Sequence, residues 1–478
     1  MYTDIQNGDP LRFTRERVIA PEQAARIHET GKQILHELGL EITHPALIER
    51  LQQEGFRVSG DRVFFEPHVV EEYVTEMRRY LQEQPAPTVE PDTGRLKLSV
   101  SIYALYMHDI DSGEVLPYTT DRLIDMCKLL DSLADEGVRG TPPGIPGDEH
   151  PDMQQIAQLR IAALYAREQL IGTEPTSAKT AHHFLDMSEL MGQPFDTLPV
   201  YLPTPLRMGG DSLDVVLSCL DRLSAIRVSS MPSLGASAPL QPFGALALAA
   251  AELLGAMVAL RVFTQKPVFF RAAVWPFDLR TGAMVLGSPE HMLLQMLRSD
   301  FNTFYGHPWN PAFGNIHVMA KRPNAQAAAE KAAIMSLGAF LGARSFGCAG
   351  TLGLDEIFSP EQLLIDCEIR DWVQRSIQGL WIGEDAVTDW VGEVRAGMTT
   401  GFMGLDSTLD NYRRDTWYPR RFDHEAVGLW RSKGYPHVSD RIRAEVRERI
   451  AAHDYELDAD RRREIERITQ SAREVVGA

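Results

Sequence analysis

Behind Pro21 the apolar positions Ala24, Ile27, Ile34, Leu35 and Leu38 recur at the spacing of one helix face. The pattern predicts a helix that Gly39 stops. A second helix is expected over Pro45 to Glu54 and a third from Pro67 through Leu81. Between them FRVSGDRVFFE alternates about Ser59, Gly60 and Asp61 and reads as a hairpin. The Pro-rich stretch 82–92 reads as a linker. A second hairpin is expected from LKLSVSIYALYMHD, the turn DSGE and VLPY.

From Thr119 the rhythm becomes helix then strand. TTDRLIDMCKLLDSLAD carries an N-cap threonine and leads to VRGTPP. The cycle repeats as helix 151–166 and QLIGT, 178–191 and PVYLP, 212–224 and RVSSMP. It continues as 243–263 and PVFFRAA, 288–300 and NTFYGHP, 323–341 and ARSFGCAG. Such alternation predicts a parallel sheet under covering helices. The expected class is α/β, a (β/α)8 TIM barrel over 118–390. An N-terminal helix and hairpin region fills 1–117, and a helical cap or dimer arm fills 391–478. An eighth strand is expected near Leu96–Leu105 or after Phe358. A long helix follows Pro360, with Ser359 as its N-cap.

Composition narrows the function. A net charge of −18 and a pI near 5.3 exclude a general nucleic-acid binder, which needs a basic face for phosphates. The four cysteines form no CxxC pair, as expected of a reduced, cytoplasmic protein. The N-terminus has no apolar signal region. The apolar stretch Ala245–Phe263 is interrupted by Glu252 and Arg261, so it reads as a buried helix and no membrane partner is expected.

The chemistry concentrates late in the chain. Nine aromatics fall between Phe269 and Phe313, several just after strand-like runs. Loops there build the active site of an α/β barrel, and aromatic faces suit an organic cation. After PVFFRAA come Trp275, Phe277, Asp278 and Arg280, where Asp278 either serves chemistry or caps a turn with Arg280 as its partner. After NTFYGHP come Tyr305, His307, Trp309, Asn310, Phe313, Asn315 and His317, whose rings either face a cation or pack on the rim. MPSLGASAP, with Ser233, Gly235 and Ala236, would let a planar partner approach the backbone; a tight turn explains it equally. Nucleotide-binding glycine motifs are absent. Cys348, Cys367, His307 and His317 could ligate zinc, but their spacing fits no short signature, and no tightly bound metal is expected. Glu356, Asp366 and Glu368 read first as residues of a helix start.

Several stretches, in this order, resemble one family: IHETGKQILHELGLEI, GDRVFFEPHVVEEY, DLRTGAMVLGSPE, AKRPNAQAAAEKA, FSPEQLLIDCEI and TLDNYRRDTWYPRRFDHE. The chain is similar to the trimethylamine methyltransferase superfamily, in its branch without pyrrolysine, which includes glycine betaine:corrinoid methyltransferases. The resemblance implies a (β/α)8 barrel that moves a methyl group from a quaternary amine to the Co(I) corrinoid of a partner protein. Pyrrolysine would fall near Asn315–His317, where ordinary residues stand. Its absence favours a quaternary substrate, whose neutral amine leaves without activation. Asp278, His307 and His317 are the expected catalytic residues. Arg271, Trp275, Phe277, Tyr305, Trp309, Phe313 and Asn315 are expected to bind substrate, with Arg271 or His317 meeting a betaine carboxylate. Ser233, Gly235, Ala236 and Gly350 are expected to face the corrinoid. A homo-oligomer is expected. The rival readings are demethylation of another onium, such as a sulfonium or carnitine-like compound, and a non-catalytic osmolyte-binding barrel.

Overall fold

Proline opens the first three helices, α1 (Pro21–Glu37), α2 (Pro45–Gln53) and α3 (Pro67–Glu83), since its fixed φ suits the first turn and its missing N–H is not needed there. The structure is a computed structural model that describes residues 11–84, 95–140, 142–167, 173–380 and 389–477. Gly39 ends α1 at φ +68°, and a Cβ there would lie 2.6 Å from the Val63 carbonyl oxygen. Strand β1 (Leu40–Ile42) then pairs with β3 (Arg62–Phe64), which forms the expected hairpin with β2 (Arg57–Ser59). The expected linker lies outside the described residues apart from 82–84, where α3 is ending.

Two parallel arcs dominate the middle of the chain. The first joins β4 (Lys97–Val100) to β7 (Val138–Arg139) on one side and β14 (Ser345–Ala349) on the other. The second has β10 (Ala225–Ser230) between β8 (Thr197–Leu202) and β11 (Val268–Phe270). Among the described residues the arcs do not join into a closed sheet, so the class is α/β. Lys97–Val100 belongs to a parallel arc and not to the expected second hairpin. That hairpin is shorter, β5 (Tyr106–His108) against β6 (Val115–Pro117). The expected strand QLIGT lies outside the described residues except for Thr173.

Helices cover the arcs: α4 (Thr120–Ser132), α5 (Gln154–Tyr165), α6 (Ala181–Leu190), α7 (Asp211–Ser218), α8 (Pro242–Thr264), α9 (Pro289–Asn302), α10 (Ala325–Phe340) and α11 (Pro360–Gln378). Short strand β9 (Arg207–Met208) pairs with β1, and β12 (Phe277–Asp278) with β13 (Ala283–Met284). NTFYGHP is not a strand. Ser288 caps α9 through the His291 N–H, the helix runs to Asn302, and a 3-10 turn follows over Thr303–Tyr305. The Asn302 side chain explains how this is tolerated. Its amide accepts from Ala272 N and donates to Ala272 O, both at 2.8 Å, so it satisfies the backbone groups a neighbouring strand would have met. Strand-like pairing resumes at Asn315, bridged in parallel to Gly347.

The apolar stretch around Glu252 is helix α8, and it is buried as expected. Among the described residues it is the one helix long and apolar enough to cross a membrane. Instead α1 lies across it, with Gly31 against Ala247 and Ala250, and Gly255 against Leu35 and Leu40. Small residues let the two helices come this close. The C-terminal segment forms α12 (Trp390–Thr400), α13 (Asp406–Asp415), α14 (Val427–Ser432), α15 (Val438–Ala451) and α16 (Ala459–Val476). Ile442 and Val446 of α15 join the core beneath α4 and α11, whereas Ile465, Ile468 and Ala472 of α16 join the core around α8.

Candidate functional site

Side chains alternate along a strand, and on the second arc the row facing the cavity mixes polar and apolar residues. Register sets Arg227 beside Pro199 on one side and Phe269 on the other, with Ser229 beside Tyr201. Pro199, Arg227, Ser229, Phe269 and Arg271 line one cavity of about 790 Å³. Tyr103, Thr173, Glu174, Phe195 and Thr197 add to its wall, and Arg298 reaches it from α9. A smaller cavity of about 190 Å³ shares Arg271 and Arg298 and is lined further by Asn302, His307, Phe313 and Asn315.

The cavity is electrically uneven. Glu174 accepts hydrogen bonds from the hydroxyls of Tyr103, at 3.5 Å, and Tyr201, with Arg227 3.9 Å away. Burial pushes the Glu174 carboxyl up, against the tyrosine hydrogen bonds and Arg227. Burial also pushes the Tyr103 phenol up to about 12, aided by Glu174, and raises Tyr201. The Tyr103 ring beside the Glu174 carboxyl is a place where an organic cation can rest. Arg271 and Arg298 make no hydrogen bond or ion pair from their side chains among the described residues. Burial lowers both guanidinium pKa values, and Arg298 is lowered further by Arg271 and Arg227.

The expected site residues scatter. Arg271 lines both cavities, and Phe313, Asn315 and His307 line the smaller one. His307 is held by the Phe270 carbonyl at 2.7 Å, and burial pushes it down to about 4. It is therefore neutral and acts as a brace on β11. His317 lies 3.0 Å from Cys348 Sγ, and burial pushes it down to about 3. Tyr305 does not reach a cavity: it is fully buried among Phe270, Phe301 and Phe304, with its hydroxyl on His28. Trp309 lines neither cavity. Its indole donates to Asp300 at 2.8 Å, and the guanidiniums of Arg15 and Arg17 both lie 5.6 Å from its ring. The chain's own cations occupy the face expected for a ligand.

Asp278 lies on the β12–β13 hairpin, where it accepts from the Arg280 N–H and guanidinium at 2.9 Å. The turn-capping reading fits that geometry. Phe277 is half-buried on the same hairpin. Trp275 stacks on His291, ring centres 5.9 Å apart, and its backbone pairs with Pro232 and Leu234. That pairing joins the loop after β11 to the turn Ser233–Ala238, where Gly235 and Ala236 are exposed and Ser233 is buried. Gly350 is packed inside, where a Cβ would meet Phe358 at 2.5 Å. Its N–H bonds Asp366, so fold requirements account for it. Cys348, Cys367, His307 and His317 do not gather at one point: among the described residues the group poised around a common centre is His28, Glu29 and Glu71. Lys32 pairs with both of those glutamates.

The aromatic count missed Glu174, Tyr201, Arg227 and Arg298. The period-2 pattern of β8 and β10 was the available signal for Tyr201 and Arg227; nothing local marks Arg298, which sits mid-helix.

The hollow along the parallel strands of this α/β chain has the size and the few polar groups common to small-molecule sites. The chain belongs to the trimethylamine methyltransferase family, whose profile matches residues 9–475. It is similar to the glycine betaine methyltransferase of Desulfitobacterium hafniense, 23% identical over 86% of this chain and 88% of that one. It is also similar to a trimethylamine methyltransferase of Methanosarcina acetivorans, 28% identical over 61% of this chain, and the match spans 59% of that relative's length. A solved monomethylamine methyltransferase of Methanosarcina barkeri overlays with a TM-score of 0.46 at 9% identity, covering 92% of this chain and 89% of that one.

Proposed function

We propose that this protein is a corrinoid-dependent methyltransferase that takes a methyl group from a quaternary ammonium compound of the glycine betaine kind. The carrying observation is the large cavity of a family member, with a tyrosine–carboxylate edge for a cation and free guanidiniums for an anion. In this reading the two arcs and the Asn315 bridge are parts of one (β/α)8 barrel. Tyr103 and Glu174 hold the ammonium head, Tyr201 holds Glu174 through its hydroxyl, and Arg271 meets an acidic group. The substrate-binding list therefore shifts from Tyr305 and Trp309 to these residues.

A corrinoid carried by a partner protein would supply a nucleophilic cobalt for in-line attack on the methyl carbon. The turn Ser233–Ala238 suits a broad apolar partner: the side chains of Leu240 and Leu279 flank Gly235 and are 61% and 64% exposed. This chain's own task is to bind, orient and keep water from the methyl group, so that attack is pre-aligned. Cation binding by the rings sets specificity more than rate, because the positive charge fades as the bond breaks. A neutral amine leaves, so no acid is needed, which agrees with neutral His307 and with Asp278 tied to Arg280. The four cysteines are free and buried, as suits a cytoplasmic protein. The arm α12–α14 exposes Trp390, Val394, Met398 and Met403, which suits a homo-oligomer.

Incubating the full chain with reduced free cobalamin and a panel of methylated amines tests the proposal. Methylcobalamin absorbance should appear with a quaternary amine. No absorbance change with any methylated ammonium or sulfonium would leave the osmolyte-binding reading.

A further inference from the structure

The charges lining the larger cavity do not balance. Arg227, Arg271 and Arg298 face it, and Glu174 is the single carboxylate among the described lining residues. Arg227 sits near Glu174, which leaves Arg271 and Arg298. Arg298 is half-buried and Arg271 is open to the hollow, and neither side chain has a partner among the described residues. The smaller cavity repeats the imbalance, since it too is lined by Arg271 and Arg298 and by no acid. A chain of net charge −18 thus keeps a positive interior, against its overall field. Two unpaired guanidiniums side by side repel one another and lose hydration. Such an arrangement persists where a ligand completes it.

We infer that the cavity takes a methylated ammonium compound bearing two acidic groups, one for Arg271 and one for Arg298. The inference rests on the proposed methyl transfer and narrows its substrate class. A bare methylamine would bring a cation into a hollow that is already positive. Glycine betaine brings one carboxylate and leaves one guanidinium alone. A diacid betaine, such as an N-trimethylated amino dicarboxylate, pairs both while its ammonium lies against Tyr103 and Glu174. The volume is within the range for ligands larger than glycine betaine. Planar guanidiniums suit bidentate carboxylate binding.

Calorimetric titration of the full chain tests this with four probes: trimethylammonium, glycine betaine, N-trimethylaspartate and succinate. N-trimethylaspartate should bind at least tenfold more tightly than glycine betaine, succinate should bind measurably, and trimethylammonium should not. R298Q and R271Q should each weaken N-trimethylaspartate at least tenfold, with R298K restoring part of the loss. R298M should raise the melting temperature of the ligand-free protein, because it removes an unpaired charge. Glycine betaine binding as tightly as the diacid, or unchanged affinity in folded R298Q, overturns the inference. Diacid binding without methyl transfer to cobalamin sinks the methyltransferase reading and keeps the anion site. Methyl transfer from trimethylamine without diacid binding does the reverse.

Discussion

Lys331 and Asp366 form an ion pair at 2.8 Å with both side chains fully buried. Lys331 of α10 also donates to the Cys348 carbonyl at 3.1 Å, and Asp366 of α11 accepts from Gly350 N at 2.7 Å and Gln362 at 2.8 Å. The pair therefore fastens the end of β14, where the backbone turns through φ +68° at Cys348 and +73° at Gly350, to two helices. Removing one partner strands the other charge. K331M should cost about 3–5 kcal/mol in denaturant unfolding. The double variant K331M/D366L should recover much of that loss. A double variant as unstable as the single one would show that the hydrogen bonds to β14, rather than the charge, matter.

Tyr201 and Trp309 should behave oppositely in kinetics. Tyr201 donates to Glu174, which lines the cavity, and Y201A should raise substrate KM by tenfold or more with little loss of folding stability. Trp309 serves the fold: W309A leaves Asp300 without one donor and uncovers Arg15 and Arg17. It should lower stability by about 1–3 kcal/mol and leave KM nearly unchanged. Steady-state kinetics beside thermal melts separate the two, and a large KM effect in a well-folded W309A would return Trp309 to the site.

Acid should loosen the fold through its buried histidines. Burial pushes His291 and His307 to about 4 and His317 to about 3, from an ordinary 6.5. Below pH 6.5 the unfolded chain takes protons that the folded chain refuses. Stability is complete above 6.5 and falls as pH drops toward 4, by about 1.4 kcal/mol per pH unit for each histidine. Unfolding curves at pH 7 and pH 5 should show the loss, and H317Q should make it shallower. An H317Q slope equal to that of the parent would mean His317 does not contribute.

The C-terminal layer should detach in acid by a second route. Arg421 is buried and reaches Glu136 at 3.2 Å and Glu445 at 2.7 Å. Against the upward push of burial, the arginines hold both carboxyls below their ordinary 4.5. Carboxylates with depressed values stabilise above the unfolded value, and that contribution is lost as pH falls through the folded one. Hydrogen exchange at pH 3–4 should therefore show faster exchange in α15 than at pH 7. R421M should give the same opening at neutral pH.

The fold was legible where local chemistry decides it. Pro21, Pro45 and Pro67 mark helix starts, Gly39 a stop, and the alternation of helix and strand gives an α/β class. NTFYGHP misled because its strand-like composition belongs to a helix end whose Asn302 side chain stands in for a strand's backbone. The site was harder to read. Aromatic density pointed to Tyr305 and Trp309, but burial and Asp300 claim them. Arg271 was visible beside its strand. Arg298 and Glu174 were not, because only the fold brings a mid-helix arginine and a loop glutamate to one hollow.

The contact of α1 with α8 links residues 21–37 to the most oily segment of the chain. During synthesis the covering helix emerges about two hundred residues before the segment it must shield. A shortened version starting after Gly39 would leave the face of that segment around Ala247 and Ala250 uncovered. Such truncations should be found in the insoluble or membrane fraction, for want of a lid rather than for any true affinity for lipid.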